Sequence, residues 1–154
     1  VTGDVDASGS LIGDDVIVGT ISYSKQITIQ TPSTTYPAQG ELSPIAGSSL
    51  TAGNLYYYGS GGWAAADASA ESTAKGMLGI AINATQVMIR GHISNTLFAG
   101  YTTGDELFMK TTAGAISNIV PSASGDIVRK IGFVVDGSVR SIYFNPSNDY
   151  FEVE

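Results

Sequence analysis

An internal echo is the feature that most constrains how this chain can fold. SLTAGNLYYYGSGGWAAADASAESTAKGMLGIAI can be laid against GYTTGDELFMKTTAGAISNIVPSASGDIVRKIGFVV with few gaps. Leu55 falls on Leu107, Tyr56 on Phe108, Tyr57 on Met109 and Gly62 on Gly114, all at an offset of 52 (107 minus 55). After one inserted residue, Gly79 falls on Gly132 and Ile80-Ala81-Ile82 on Phe133-Val134-Val135, while the turn glycines Gly53 and Gly104 lie one residue out of step. Each unit, about 48–82 and 100–135, has the order Gly-Asn or Gly-Asp turn, strand, glycine turn, short strand, small-residue linker, glycine-centred strand. Units this small cannot bury their faces alone, so the two are expected to share one core as a compact sandwich or small barrel.

The flanking segments carry the same texture. Gln86 to Ile93 alternates, with Val87, Ile89, Gly91 and Ile93 expected on one face and Met88, Arg90 and His92 on the other. Ser138 to Phe144 follows Asp136-Gly137, a pair that tolerates positive φ and so signals a hairpin. On that strand Val139, Ser141 and Tyr143 are expected on one face, and Arg140, Ile142 and Phe144 on the other. The tail, with Tyr150, Phe151 and Val153, supplies a last edge strand after Asn145-Pro146. No stretch holds a helical period: Ala65 to Gly76 could form a single turn, but Pro121 in its repeat partner argues against it. Nineteen glycines and only 14% charged residues favour short strands and tight turns over amphipathic helices. The fold class is therefore all-β, with a head domain over 45–154 and a leader over 1–44.

Within the leader, Gly3-Asp4-Val5 is loosely echoed by Gly13-Asp14 and Val16, and Ile21 to Gln30 has the alternation of a half-buried strand. Pro32, Pro37 and Pro44 make the next stretch an extended connector rather than a central strand. The leader's apolar residues, among them Val5, Leu11, Ile12 and Val16, cannot be buried by a lone two-stranded ribbon. Packing against copies of itself solves that, so a homo-oligomer is expected.

Charge and chemistry exclude several classes. The net charge of −7 opposes a sequence-independent grip on a nucleic-acid backbone, so nucleic acid is not an expected partner. No apolar run approaches the roughly 20 residues of a membrane span. Without cysteine, disulfides and thiolate chemistry are out of reach. The single histidine, His92, has no nucleophile elbow near it and is expected to be a half-exposed strand residue. Asp4, Asp14, Asp15, Asp105, Asp126, Asp136 and Asp149 lie in turns, where Asp bonds its own backbone, so no catalytic pair is assigned. Asp4, Asp6, Asp14 and Asp15 lack the spacing of a calcium loop, and GSGG at Gly59 to Gly62 lacks the lysine and helix of a phosphate cradle. Lys75, Arg90, Arg129 and Lys130 are scattered, with no stripe. No enzyme activity, metal or cofactor is expected.

The one dense cluster is YYYGSGGW, residues 56–63. Leu55 and Tyr57 match Leu107 and Met109 as core-facing positions; Tyr58 and Trp63 stand where the second unit has Lys110 and Ala115. Tyr56, Tyr58 and Trp63 are the candidate ligand-binding residues, since aromatic faces stack on sugar rings.

From Ser43 to Glu154 the order LTAGNLYYY, GGWAAAD, STAKGMLGIAI and VMIRGHI, then TTGDELFM, TAGAISN, SGDIVRKIGFVVD and IYFNPSNDYFEVE, resembles the C-terminal β modules of tailed-bacteriophage virion structural proteins. The first half is also similar to the β-tulip head-decoration proteins of lambda-like phages, and the leader to the β repeats of phage fibre stems. The resemblance implies a virion location and a non-enzymatic, usually homotrimeric capsid-decoration or fibre component. Its partners would be capsid or tail proteins. The alternative is a fibre tip that binds a host receptor or surface glycan. The internal duplication and the leader set the chain apart from short decoration proteins and favour a fibre or a knobbed decoration.

Overall fold

The computed structural model describes residues 38–154; the sequence readings on residues 1–37, including the leader repeat and the Ile21 to Gln30 strand, lie outside them. The described chain is all-β, with 40% strand and 6% helix, and its antiparallel sheet curls into a half-barrel. Eleven strands follow in order: β1 Ala38–Leu42, β2 Leu55–Gly59, β3 Gly62–Ala65, β4 Leu78–Ala81, β5 Val87–Ser94, β6 Glu106–Met109, β7 Ile116–Ser117, β8 Ile127–Val128, β9 Lys130–Asp136, β10 Ser141–Phe144 and β11 Phe151–Glu152. One helical turn, α1 Glu71–Ala74, and a 3₁₀ turn, Thr96–Phe98, interrupt them.

The main sheet runs β3-β2-β4-β5-β10-β9-β6-β7, an order with the same plan from either end. In each half a hairpin (β2–β3 or β6–β7) pairs through its first strand with the next strand (β4 or β9), followed by a strand at the middle (β5 or β10). Tyr56 faces Ala65 and Tyr57 faces Ala64; Phe108 faces Ser117 and Met109 faces Ile116, each pair displaced by the repeat's offset of 52. Beyond the hairpins the halves differ. Gly79 pairs with Tyr56, whereas Gly132 pairs with Leu107, one residue earlier in its hairpin, and a bulge between Leu107 and Phe108 shifts the register further.

β5 is the strand on which the halves meet. Met88 pairs with both Leu42 and Ile80, and Ile93 with both Ala38 and Ile142. A strand residue has one neighbour on each edge, so β1 runs along one edge of β5, while β4 and β10 share the other, end to end. At the opposite side the outer hairpins are tied by backbone bonds: Leu55 N–H to Gly114 O (2.8 Å), Gly114 N–H to Ala66 O (2.7 Å) and Ala68 N–H to Lys110 O (2.9 Å). Between these seams lies one core from both halves, with Leu55, Leu78, Ile80, Met88 and Ile93 packed with Leu107, Met109, Ile131, Ile142 and Phe144. Burying that surface is the main drive for joining the units.

Several sequence expectations change. Ala38–Leu42, read as part of the connector, is instead an edge strand. Pro37 and Pro44 bracket those five residues without falling among them, so the ladder donors are intact. The face assignment on β5 fails: Val87 belongs to a small outer core, while Met88 and Ile93 both enter the main core. The alternation breaks at Ile89, since Glu41 pairs with Arg90 but Leu42 with Met88; two residues on, Gly91 takes a φ of 149° that an L side chain rarely adopts, and a Cβ there would sit 2.3 Å from Gln39 O. The Asp136-Gly137 hairpin exists, but as a four-residue loop, since Asp136 pairs with Ser141 and the positive φ falls on Arg140 (55°). Val139 and Arg140 therefore lie in the loop, not the strand. Finally, Ala65 to Gly76 does hold a helical turn, Glu71–Ala74; this linker has no counterpart of Pro121 and is one residue shorter than its repeat partner.

Candidate functional site

The three candidate residues share one face of the β2–β3 hairpin, opposite the main core, but have different environments. Tyr56 is only 8% exposed, its ring packed with Leu50, Ala81 and Val87 and its hydroxyl oxygen accepting the Thr51 N–H at 2.9 Å. Trp63 is half-buried: its indole N–H donates to Ile45 O at 3.0 Å, and its ring lies against Gly79, where a Cβ would come within 3.1 Å of it. Tyr58 is 38% exposed and meets Trp63 edge-on, with ring centroids 5.3 Å apart. Leu55 is fully buried and Tyr57 packs against the main core, as their match to Leu107 and Met109 implies.

What these aromatics hold is the segment from Ser43 to Leu50. That segment is bonded to β5 by Ser43 N–H to Val87 O (2.8 Å) and to the β4–β5 loop by Gly47 N–H to Thr85 O (2.8 Å) and Leu50 N–H to Ala84 O (3.0 Å). Leu50 caps Tyr56, and Ile45 takes the tryptophan's hydrogen bond. The second unit enters its hairpin from Tyr101 through a short Gly104 turn with no such overlay among the described residues, and Lys110 and Ala115 stand there. Tyr56 is thus committed to the protein's own packing, and of the three candidates Tyr58 and Trp63 keep ring surface exposed.

Three other placements bear on function. Asp105, Asp126 and Asp136 accept backbone N–H bonds in their own turns, from Thr102 (2.9 Å), Ala123 (3.1 Å) and Ser138 (2.9 Å), as turn aspartates should. His92 is half-exposed in β5, its ring 4.9 Å from that of Tyr143, which in turn lies 5.5 Å from Phe133, so a row of rings crosses β5, β10 and β9. Burial pushes the His92 pKa below the ordinary 6.5, and its Nδ1 finds no partner among the described residues. No group of three or more potential metal ligands occurs among the described residues; the Asp4, Asp6, Asp14 and Asp15 cluster lies outside them.

Sequence reasoning missed two features. The ring row was hidden because Phe133 aligns with the fully buried Ile80, yet the bulged register of β9 turns Phe133 outward to 42% exposure. Arg129, read as one of several scattered cations, is only 3% exposed and donates to three carbonyl oxygens: Ala74 (2.6 Å), Gly76 (3.0 Å) and Ser147 (2.8 Å). A usable signal was its position between the apolar Ile127-Val128 and Ile131 of the second unit.

No family model matches the chain, and neither a curated protein nor a solved structure matches it. Among the described residues no helix is long and apolar enough to cross a membrane.

Proposed function

We propose that this chain is a non-enzymatic structural component of a tailed-bacteriophage particle, a capsid-decoration or fibre subunit working as a homo-oligomer, with a trimer favoured. The observation that carries the reading is β1. It follows residues 1–37 directly in the chain, and it pairs with β5 alone, its other edge open among the described residues. An open edge next to a strand-patterned leader is a surface that folded proteins cover, and a repeated subunit can cover it with copies of itself. The resemblance of residues 43–154 to phage virion modules supplies the particle. The test is labelling of purified particles by electron microscopy with an antibody raised against residues 38–154. Regular labelling of capsid or fibres supports the reading. A chain abundant in infected-cell lysate yet absent from particles contradicts it.

A second reading, a host-glycan-binding tip, is favoured by the exposed Tyr58 beside Trp63. Its test is a glycan array with Tyr58→Ala, which removes the more exposed ring and none of the hydrogen bonds that hold Ser43 to Leu50. Loss of a specific sugar signal in the variant supports it, and equal signals in variant and parent sink it.

A further inference from the structure

Between β5 and the Asn145–Asn148 turn lies a groove of about 270 Å³ whose lining includes the guanidinium-bearing residues Arg90 and Arg129. We propose that this groove is an oxyanion site, taking a carboxylate or phosphate group; the inference does not rest on the virion reading.

Charge accounting comes first. Arg129 is 97% removed from solvent, its exposure being 3%, and among the described residues the ion pairs are Lys75 with Glu71 and Lys130 with Glu106, so Arg129 has no carboxylate against it. A guanidinium has five N–H donors. Three are used on Ala74, Gly76 and Ser147, which leaves two, five minus three, without an acceptor among the described residues. Carbonyl dipoles and the Tyr150 ring, 5.9 Å from the guanidinium carbon, solvate the cation but do not neutralise it. A buried charge with no counter-charge is costly, and an anion in the groove would lower that cost.

The rest of the lining suits the same ligand. Arg90 is exposed on β5 and adds a second guanidinium, the group best shaped for bidentate contact with carboxylate or phosphate. Asn145 and Asn148 bring side-chain amides, while Met77, Leu78 and Ile89 supply the apolar part of the lining. One acid lines the groove: Glu41, opposite Arg90 in the β1–β5 register. Two cations and one anion give this spot a net charge of +1 within a chain of −7. A small anion therefore meets a locally favourable charge here, against the acidic balance of the chain.

The test uses the full chain, ¹⁵N-labelled, titrated with sodium phosphate, sodium glucuronate and neutral glucose at an ionic strength held constant with sodium chloride. The expected result is saturable shifts of the Arg90 and Arg129 Nε–H and of the Asn145 and Asn148 amides with an anion. The Kd should be on the order of 1 mM, and glucose should give no shift. Arg90→Gln should weaken binding about tenfold with thermal unfolding unchanged, the loss of one charge-assisted contact, and Glu41→Gln should tighten it. Binding of phosphate alone assigns the site to a phosphate ester, of glucuronate alone to an acidic sugar, and of both to the oxyanion in general. The proposal is overturned if neither anion shifts these signals beyond what chloride does, or if Arg90→Gln leaves the Kd unchanged. Because Arg90 is exposed, the variant tests the site without the folding risk that attends Arg129.

Discussion

Arg129 places its Nη1 2.6 Å from the carbonyl oxygen of Ala74, a buried hydrogen bond between residues 55 apart in sequence. With Gly76 and Ser147 it makes one side chain the clasp between the linker of the first unit, the β8–β9 corner of the second and the C-terminal tail. Removing it orphans three acceptors, each costing about 1–3 kcal/mol when buried and less where water can reach. Arg129→Ala is expected to lose at least about 3 kcal/mol in urea unfolding, and Arg129→Lys most of that, since one ammonium cannot span three carbonyls in this fork. A loss below about 1 kcal/mol would mean the clasp is ornamental.

Gly132 is the backbone constraint on the middle of the sheet. Its φ is 154°, and a Cβ would lie 2.0 Å from Tyr143 O, in the neighbouring backbone. Gly132→Ala should cost more than about 3 kcal/mol, through strain and a clash that no rotamer relieves. Gly125→Ala, at φ 88° but in open space, should cost only about 1 kcal/mol. Thermal melts of the two variants side by side check the ranking.

Trp63 and Tyr58 should separate by role. Trp63→Ala removes the bond to Ile45 O and the ring over Gly79, with an expected loss of about 2 kcal/mol for a half-buried indole and faster proteolysis within Ser43 to Leu50. Tyr58→Ala should cost less than about 1 kcal/mol, mostly the edge-on ring contact. Equal losses would contradict the assignment of Trp63 to holding that segment.

The sign of the His92 shift fixes a pH dependence. Burial lowers its folded-state pKa below the 6.5 of the free imidazole, so the unfolded chain binds the proton more tightly. The contribution is fully present above about pH 6.5 and is lost as pH falls through the lower folded value. Melting temperatures should drop across that window, and His92→Gln should flatten the drop. An unchanged slope in the variant would place the acid sensitivity elsewhere.

The sequence made the hairpins legible because Leu55 to Gly62 and Leu107 to Gly114 carry the same alternation and the same turn glycine. It could not show the bulges. Ile89 in β5 and Ile131 in β9 are the extra residues at two register shifts, and alternation does not carry past them; hence Ile93 sits in the core with Met88, and Phe133 lies outside. Likewise, Tyr58 and Trp63 marked where the first unit departs from its twin, but the cause, a segment from Ser43 to Leu50 bonded to β5 and the β4–β5 loop, is a long-range contact with no local signature. Arg129 is the same case: its partners at 74, 76 and 147 are brought together only by the fold.

The central claim is that the chain works as an assembled particle subunit, and its stoichiometry tests that most directly. Native mass spectrometry of the full 154-residue chain, 15.9 kDa per copy, is predicted to give three times that mass as the main species at micromolar concentration. A single species at 15.9 kDa that persists as concentration rises would contradict the account.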